Sequence, residues 1–387
     1  MKPVVYYGSA RQARLDAGET LPAKLDLIID KLNLRDRVKD ELVVLKMHTG
    51  NNLGYSTIHP LFVRKVVKAI RDGGGEPFIA DVEWDVHGAE TRGYTAEVLG
   101  CPIYPASGPS NKYFYSYHRP FKNIEDWRLA GLIKDATFMV NFAHAKGHPS
   151  CSYGGAMKNL ALGCMAGETR SAMHDSCHFE PYFFPEMVKD AGIIQQVVAV
   201  CPVGGIVEDK HHPGQLHLHI ENCNQCGRCL AVAPKGSLKI DKANFHVFME
   251  ACANSVDIVL STFAKEKATH LVLATQMTPV CDCFGFTSMP IMNDAGIFGS
   301  DDIIAVDEAV LDATANSPLI EGNLPTSMEV HTREGHPLRW LHGPLKDPYM
   351  VTEFGQQLGI GSRQYELVDV LPVESIQFAP MGYIPAK

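Results

Sequence analysis

Cys223, Cys226 and Cys229 follow one another with two residues between neighbours, the spacing that wraps three thiolates around one face of a cubane iron–sulfur cluster. The fourth ligand of such a cluster normally comes from a distant Cys-Pro pair, and Cys201-Pro202 supplies one. The segment is also a worn internal repeat. CPVGGI at Cys201 is matched by APKGSL at Ala233, as in bacterial two-cluster ferredoxins, where each three-cysteine run borrows its last ligand from the other half. The second run falls on Ala191, Ile194 and Val197, and its borrowed partner on Ala233. One ligand set is lost entire and the other kept, which predicts one [4Fe–4S] cluster on Cys201, Cys223, Cys226 and Cys229. A structural zinc knot is the alternative, although such sites favour two separated Cys or Cys/His pairs. His211, His212, His217 and His219 lie between the ligands. Alternation in LHLHIEN puts Leu218 and Ile220 on one strand face and His217 and His219 on the other, an exposed polar face. Arg228, Lys210 and Lys235 nearby either steer an acidic redox partner or simply solvate a hairpin.

A second set of groups lies outside that segment: His144, Lys146 and His148 in AHAKGH, Lys158 and Asn159 in GGAMKNLALG, Cys164, and His174, Cys177 and His178 in MHDSCHF. These are proton-transfer types, but spacing alone makes none of them a ligand. Gly154-Gly155 before a helix can offer backbone N–H groups to a phosphate or carboxylate, with Lys158 as countercharge. No complete phosphate-loop or dinucleotide fingerprint accompanies them. Cys281-Asp282-Cys283 is more pointed, because residues i and i+2 of an extended chain share a face and aim two sulfurs at one place. That suits a soft metal or a redox substrate. A disulfide between the two is strained, and the turn-rich flanks MTPV and FGFTSMPIMNDAG predict an active loop. Two buried structural thiols are the alternative.

The elements that must carry these groups read as α/β. ELVVLKM (Glu41 to Met47) predicts a strand. A loop rich in Gly and Asn separates it from a helix opened by Pro60, whose apolar residues Leu61, Phe62, Val63, Val66, Val67 and Ile70 keep helical spacing up to Gly73-Gly74-Gly75. Pro77 to Asp81 predicts the next strand, giving a parallel βαβ unit. A helical stretch near Trp127 to Lys134 precedes a strand from Ala136 to Phe142, which empties into the Gly-rich loop. Ligands of α/β sheets bind beyond the carboxyl ends of such strands. THLVLAT and DIIAVD read as later strands. The expected fold is therefore α/β, a mostly parallel sheet domain interrupted by a small ferredoxin-like α+β insert. Residues 1–199 form the first part, 200–242 the insert, and 243–387 the second part with a C-terminal extension.

Composition narrows the function. The 387 residues are 45% hydrophobic with a formal charge of −9 and no basic block, which excludes disorder and argues against wrapping nucleic acid or lying on anionic lipid. No run approaches the roughly 18 apolar residues that span a bilayer, and the N-terminus has no apolar leader. Eleven cysteines, an odd number, point to a reducing cytoplasmic compartment with thiolates held for metal.

The motifs KMHTGNNLGYSTIHP, FIADVEW, AKGHPSCSYGGAMKNLALG, MHDSCHF, CDCFG and DAGIFGSDDIIAVDEAVLD, from about His48 to Asp312, together resemble the DUF362 family, associated with iron–sulfur proteins of anaerobic bacteria and archaea. That resemblance implies an α/β domain with a ferredoxin-type insert and a redox role. It also implies one cleft holding His48, Asp81, Lys146, His148, Lys158, Asn159, His174, Cys281, Asp282 and Cys283. The resulting expectation is an electron-transfer protein, as an oxidoreductase or reductase component, that takes electrons from a ferredoxin, flavodoxin or reductase. His148, Lys158, His174 and Asp282 are its expected catalytic groups. Cys281 and Cys283 hold a second metal or the acceptor, and a flavin or a small-molecule substrate is compatible. The alternatives are a metal-dependent non-redox enzyme with a structural cluster, and a ferredoxin-like docking scaffold without chemistry.

Overall fold

The computed structural model describes residues 2–178, 181–190 and 192–372. Eight strands form its main sheet: β1 (Val4–Ser9), β2 (Leu42–Met47), β3 (Glu76–Asp81), β4 (Ile103–Pro105), β5 (Phe138–His144), β6 (Ala268–Ala274), β7 (Gly296–Ser300) and β8 (Glu366–Asp369). Their order is β8-β1-β7-β6-β5-β2-β3-β4. Neighbours are parallel except at β7, which runs antiparallel to both β1 and β6. The inner strands β2, β3, β5, β6 and β7 are buried almost throughout, as the centre of a mostly parallel sheet requires, while the edge strands β4 and β8 are not.

Helices cover both faces. Period-two alternation in β2 sends Val43, Leu45 and Met47 toward α1 (Leu21–Lys31) and α2 (Pro60–Asp72), while Val44 joins the opposite core. That core lies under α3 (Ala156–Gly163), α4 (Asn244–Leu260) and α5 (Ile303–Thr314). The result is a three-layer α/β/α domain.

Two backbone hydrogen bonds bring together the two ends of the cysteine-rich segment. Phe184 N donates to Ser237 O at 2.8 Å and Lys239 N to Tyr182 O at 2.8 Å. Within it, strands Ile206–Glu208 and Leu216–Leu218 pair antiparallel, and helices Gly192–Ala199 and Arg228–Val232 pack together. Ile194 and Val197, which stand where a second cluster would need cysteines, are buried apolar residues, and Ala233 packs against the same core. Apolar side chains therefore occupy the described positions where a second ligand set was expected to be missing. Ala191 lies outside the described residues.

Two expectations are corrected. Trp127 belongs to a strand, Ile124–Ala130, hairpinned with Phe114–Phe121, and only Gly131–Asp135 is helical. DIIAVD is not a strand. Asp302 caps α5, accepting from Ile304 N and Ala305 N at 2.9 Å each, and the strand there is the preceding GIFGS of β7. No helix among the described residues is long and apolar enough to cross a membrane.

Candidate functional site

The carboxyl ends of β2, β3 and β5 open onto a cleft of about 560 Å³. His48, Asp81, Lys146, His148, Lys158, Asn159, His174, Cys281 and Cys283 all line it, gathered from segments spread over more than two hundred residues. Two potential metal-binding groups face one another there: His148 with Cys281 and Cys283, and His48 with Asp81 and Asp85, the ligand atoms of each group lying within 4.8 Å of one another.

The first group suits a soft ion. His148 sits in a two-strand ladder of Lys146–His148 with Ser152–Gly154, and its Nε2 lies 3.8 Å from Cys283 Sγ. Burial, and then the Lys158 charge, hold its imidazole well below the ordinary histidine value, so it stays neutral, the form that ligates metals. Residues 282–284 make a tight turn rather than a strand. The two sulfurs still converge, because Cys283 N points at Cys281 Sγ from 3.4 Å. The neighbouring Cys283 thiol draws Cys281 well below the usual thiol range despite burial, aided by Lys146 and His48. Cys283 is held high in turn, first by the Cys281 sulfur and then by burial.

The second group is a proton-holding assembly. Asp81 at the end of β3 receives Lys46 Nζ at 3.0 Å, His48 Nδ1 at 3.1 Å and Thr49 N at 2.8 Å. Lys46 alternates onto the cleft face of β2 and also donates to Asn159 Oδ1 at 2.9 Å. Burial alone would lower His48, but Asp85 and then Asp81 push it up to about 10. Asp85 lies 3.5 Å from the same nitrogen, and burial raises it to about 7.

Around these groups, His174 stacks on Phe248 with ring centroids 4.6 Å apart, and burial and then Lys158 lower it to about 4. Lys158 is raised by the Cys283 and Cys281 sulfurs against the effect of burial.

Asp282 is placed differently from its expected catalytic role. It is buried off the cleft, accepts from Ser56 Oγ at 2.6 Å and lies 3.4 Å from His144 Nδ1, so it anchors the cysteine loop. His144, Cys164, Cys177 and His178 also lie outside the cleft wall. The Gly154-Gly155 turn is not free to bind an outside anion. Asp307 of α5 already accepts from Ala156 N at 2.8 Å and Met157 N at 2.7 Å, an internal carboxylate at the start of α3.

The four insert cysteines, Cys201, Cys223, Cys226 and Cys229, wall one small cavity of about 190 Å³ together with Ile206, Leu218 and Phe245. None is in a disulfide. Gly205 N donates to Cys201 Sγ at 3.1 Å, and backbone N–H groups of Gln225 and Leu230 serve Cys223 and Cys229. This cavity and the cleft share a wall, since His219, Glu221 and Asn222 line the cleft and the next residue, Cys223, lines the cavity. His219, expected on an exposed face, is half-buried at this boundary.

Sequence reasoning missed Lys46, Asp85, Asp307 and Lys346. A lysine within the apolar run ELVVLKM was a usable signal for Lys46. Lys346 carried none, yet it is buried and donates to Pro149 O at 2.6 Å, Cys223 O at 2.8 Å, Ile220 O at 2.9 Å and Glu221 O at 3.1 Å. It therefore pins the loop after His148 to the loop before Cys223.

Comparison with curated proteins gives no match. Among solved structures, the lactate racemase apoprotein from Thermoanaerobacterium thermosaccharolyticum is similar over 70% of this chain and 51% of its own length, at 9% sequence identity and a TM-score of 0.32. The chain thus spans about half of that protein. Residues 43–312, more than half of the sequence and including every cleft residue named above, match the family described as a domain of unknown function, DUF362. The chain belongs to the DUF362 family.

Proposed function

We propose that the insert holds one [4Fe–4S] cluster on Cys201, Cys223, Cys226 and Cys229, and that the protein passes electrons between a redox partner protein and a substrate in the adjoining cleft. The observation that carries this reading is that four unpaired thiols wall one cavity, with backbone N–H groups directed at the sulfurs of Cys201, Cys223 and Cys229. Such donors stabilise the excess negative charge of thiolate-ligated clusters. A zinc knot draws its four sulfurs into a tight tetrahedron around one ion. Among the described residues, the groups with ligand atoms all within 4.8 Å are instead the two in the cleft. When bound, the cluster supplies one-electron chemistry.

The chain's own residues supply the rest. His148, Cys281 and Cys283 hold a soft metal ion, and a sulfur–imidazole set is the donor type such ions prefer. Lys346 fixes the distance between the two sites through four carbonyls. Lys158 and the His48 imidazolium hold protons at the cleft, and His174, lowered to about 4, stands beside them as a neutral imidazole. Leu162, Trp84 and Phe284 line the same cleft as apolar wall.

The test is an anaerobic reductive titration of the purified protein with dithionite. This reading expects bleaching of the cluster absorbance and a paramagnetic signal from the reduced state, both lost in Cys226→Ser. An absorbance that does not respond to reductant, with activity restored by added divalent metal alone, would overturn it.

A further inference from the structure

We infer that the cleft binds its substrate through an oxyanion group, carboxylate or phosphate, seated between Lys146 and Lys158. The inference rests on the functional reading above and names the substrate class for the same cleft. Four lysines are fully or nearly buried among the described residues, and three are consumed internally. Lys24 donates to Ser9 O and Arg11 O, Lys46 to Asp81 and Asn159, and Lys346 to four carbonyls. The Lys146 ammonium, in a residue only 5% exposed, makes no hydrogen bond and no ion pair with a carboxylate among the described residues, yet it lines the cleft. Its charged neighbours are the Cys281 sulfur and Asp282; with Asp282 held by Ser56 and His144 and Cys281 given to a metal, the buried ammonium is left to a partner that arrives from outside, because an uncompensated buried charge is costly.

Lys158 reinforces the site. It forms no ion pair with a described carboxylate, and its Nζ lies 5.9 Å from the Phe248 ring centroid. The two lysines converge over Gly154, where an added Cβ would sit 3.7 Å from Lys158 Cγ and 3.9 Å from both Lys146 Cε and His148 Cβ. The glycine leaves that floor open beside the sulfur–imidazole group. The carboxylates of the cleft are engaged elsewhere: Asp81 by Lys46, His48 and Thr49, Asp85 with His48, and Glu221 with His219. Once Cys281 and Cys283 hold a divalent ion their charge is spent on it, and both ammoniums face the ligand. A compact acid with one or two negative charges matches this charge and the 560 Å³ of space.

The experiment is calorimetric titration of anaerobically purified protein, in low-chloride buffer, with sodium succinate, sodium phosphate and neutral succinamide, on samples assayed for iron and sulfide. The expected result is saturable binding of succinate or phosphate and none of succinamide, and whichever anion binds identifies the oxyanion source. Loss of one charge-assisted contact should weaken binding about tenfold or more in Lys146→Met and in Lys158→Met. Lys146→Arg, which keeps the charge, should retain more of it. Absence of anion binding in protein with full iron, sulfide and native melting overturns this inference and leaves the cluster assignment standing, as does equal binding by the wild type and Lys146→Met. Lysine-dependent binding in protein without sulfide would do the reverse.

Discussion

Asp307→Asn separates the two roles of the carboxylate that caps α3, the helix that delivers Lys158 and Asn159 to the cleft. Asp307 accepts from Ala156 N at 2.8 Å, Met157 N at 2.7 Å and Tyr153 Oη at 2.9 Å. In the variant the amide nitrogen must face one of these donors, and losing a charge-assisted bond costs about 1.5–3 kcal/mol. Against that, burial raises the carboxyl from 3.8 to about 6, so carrying it ionised at neutral pH already costs about 3 kcal/mol, which the amide removes. The two effects nearly cancel at pH 7.5, where the stabilities should agree within about 1 kcal/mol. They separate on acidification. Because the folded value lies above the unfolded one, the native state takes up a proton below pH 6 that the unfolded chain takes up only near 3.8. The wild type gains stability from this group as pH falls, about 1.4 kcal/mol between pH 7.5 and 5, and the Asn variant does not. Anaerobic urea unfolding of both proteins at pH 7.5, 6 and 5 measures the gap, with other titrating groups cancelling in the difference. A gap that stays constant with pH, or a loss above about 3 kcal/mol already at pH 7.5, refutes the capping argument.

Other perturbations probe the remaining joints. Gly155→Ala would press its Cβ against Tyr153 Oη and Asp307 Oδ1 and should cost about 1–3 kcal/mol in denaturant unfolding by displacing that cap. Lys346→Met leaves Pro149, Ile220, Glu221 and Cys223 carbonyls without their donor. It should lower stability by about 2–4 kcal/mol and disturb cluster and cleft together, visible as reduced sulfide content alongside reduced metal content. Cys281→Ser and Cys283→Ser should each remove the additional metal ion from anaerobically purified protein, as read by elemental analysis, and leave iron and sulfide per chain unchanged.

The short β-branched run ELVVLKM made β2 visible, and Pro60 with the three glycines bounded α2. The helix α5 was misread because Ile303, Ile304 and Val306 are all buried, and a helix that is apolar on every side looks like a strand over six residues. The hairpin around Trp127 was misread for the opposite reason. Ile124 and Trp127 are buried three residues apart with exposed Glu125 and Asp126 between them, a helical spacing produced by an irregular strand. The residue types in the cleft were legible because His148, Cys281 and Cys283 are rare chemistries in glycine-rich loops. What local sequence cannot carry is pairing. Asp307 fills the α3 terminus from about 150 residues away, and Asp282 looks as reactive as its neighbours until Ser56 and His144 are seen to occupy it.

The central claim, that Cys201, Cys223, Cys226 and Cys229 hold one cubane cluster, is tested most directly by counting iron and acid-labile sulfide in protein purified without oxygen. The account predicts about four of each per chain, falling together when Cys223 is replaced by Ser. Zinc in place of iron, or iron without sulfide, would contradict it.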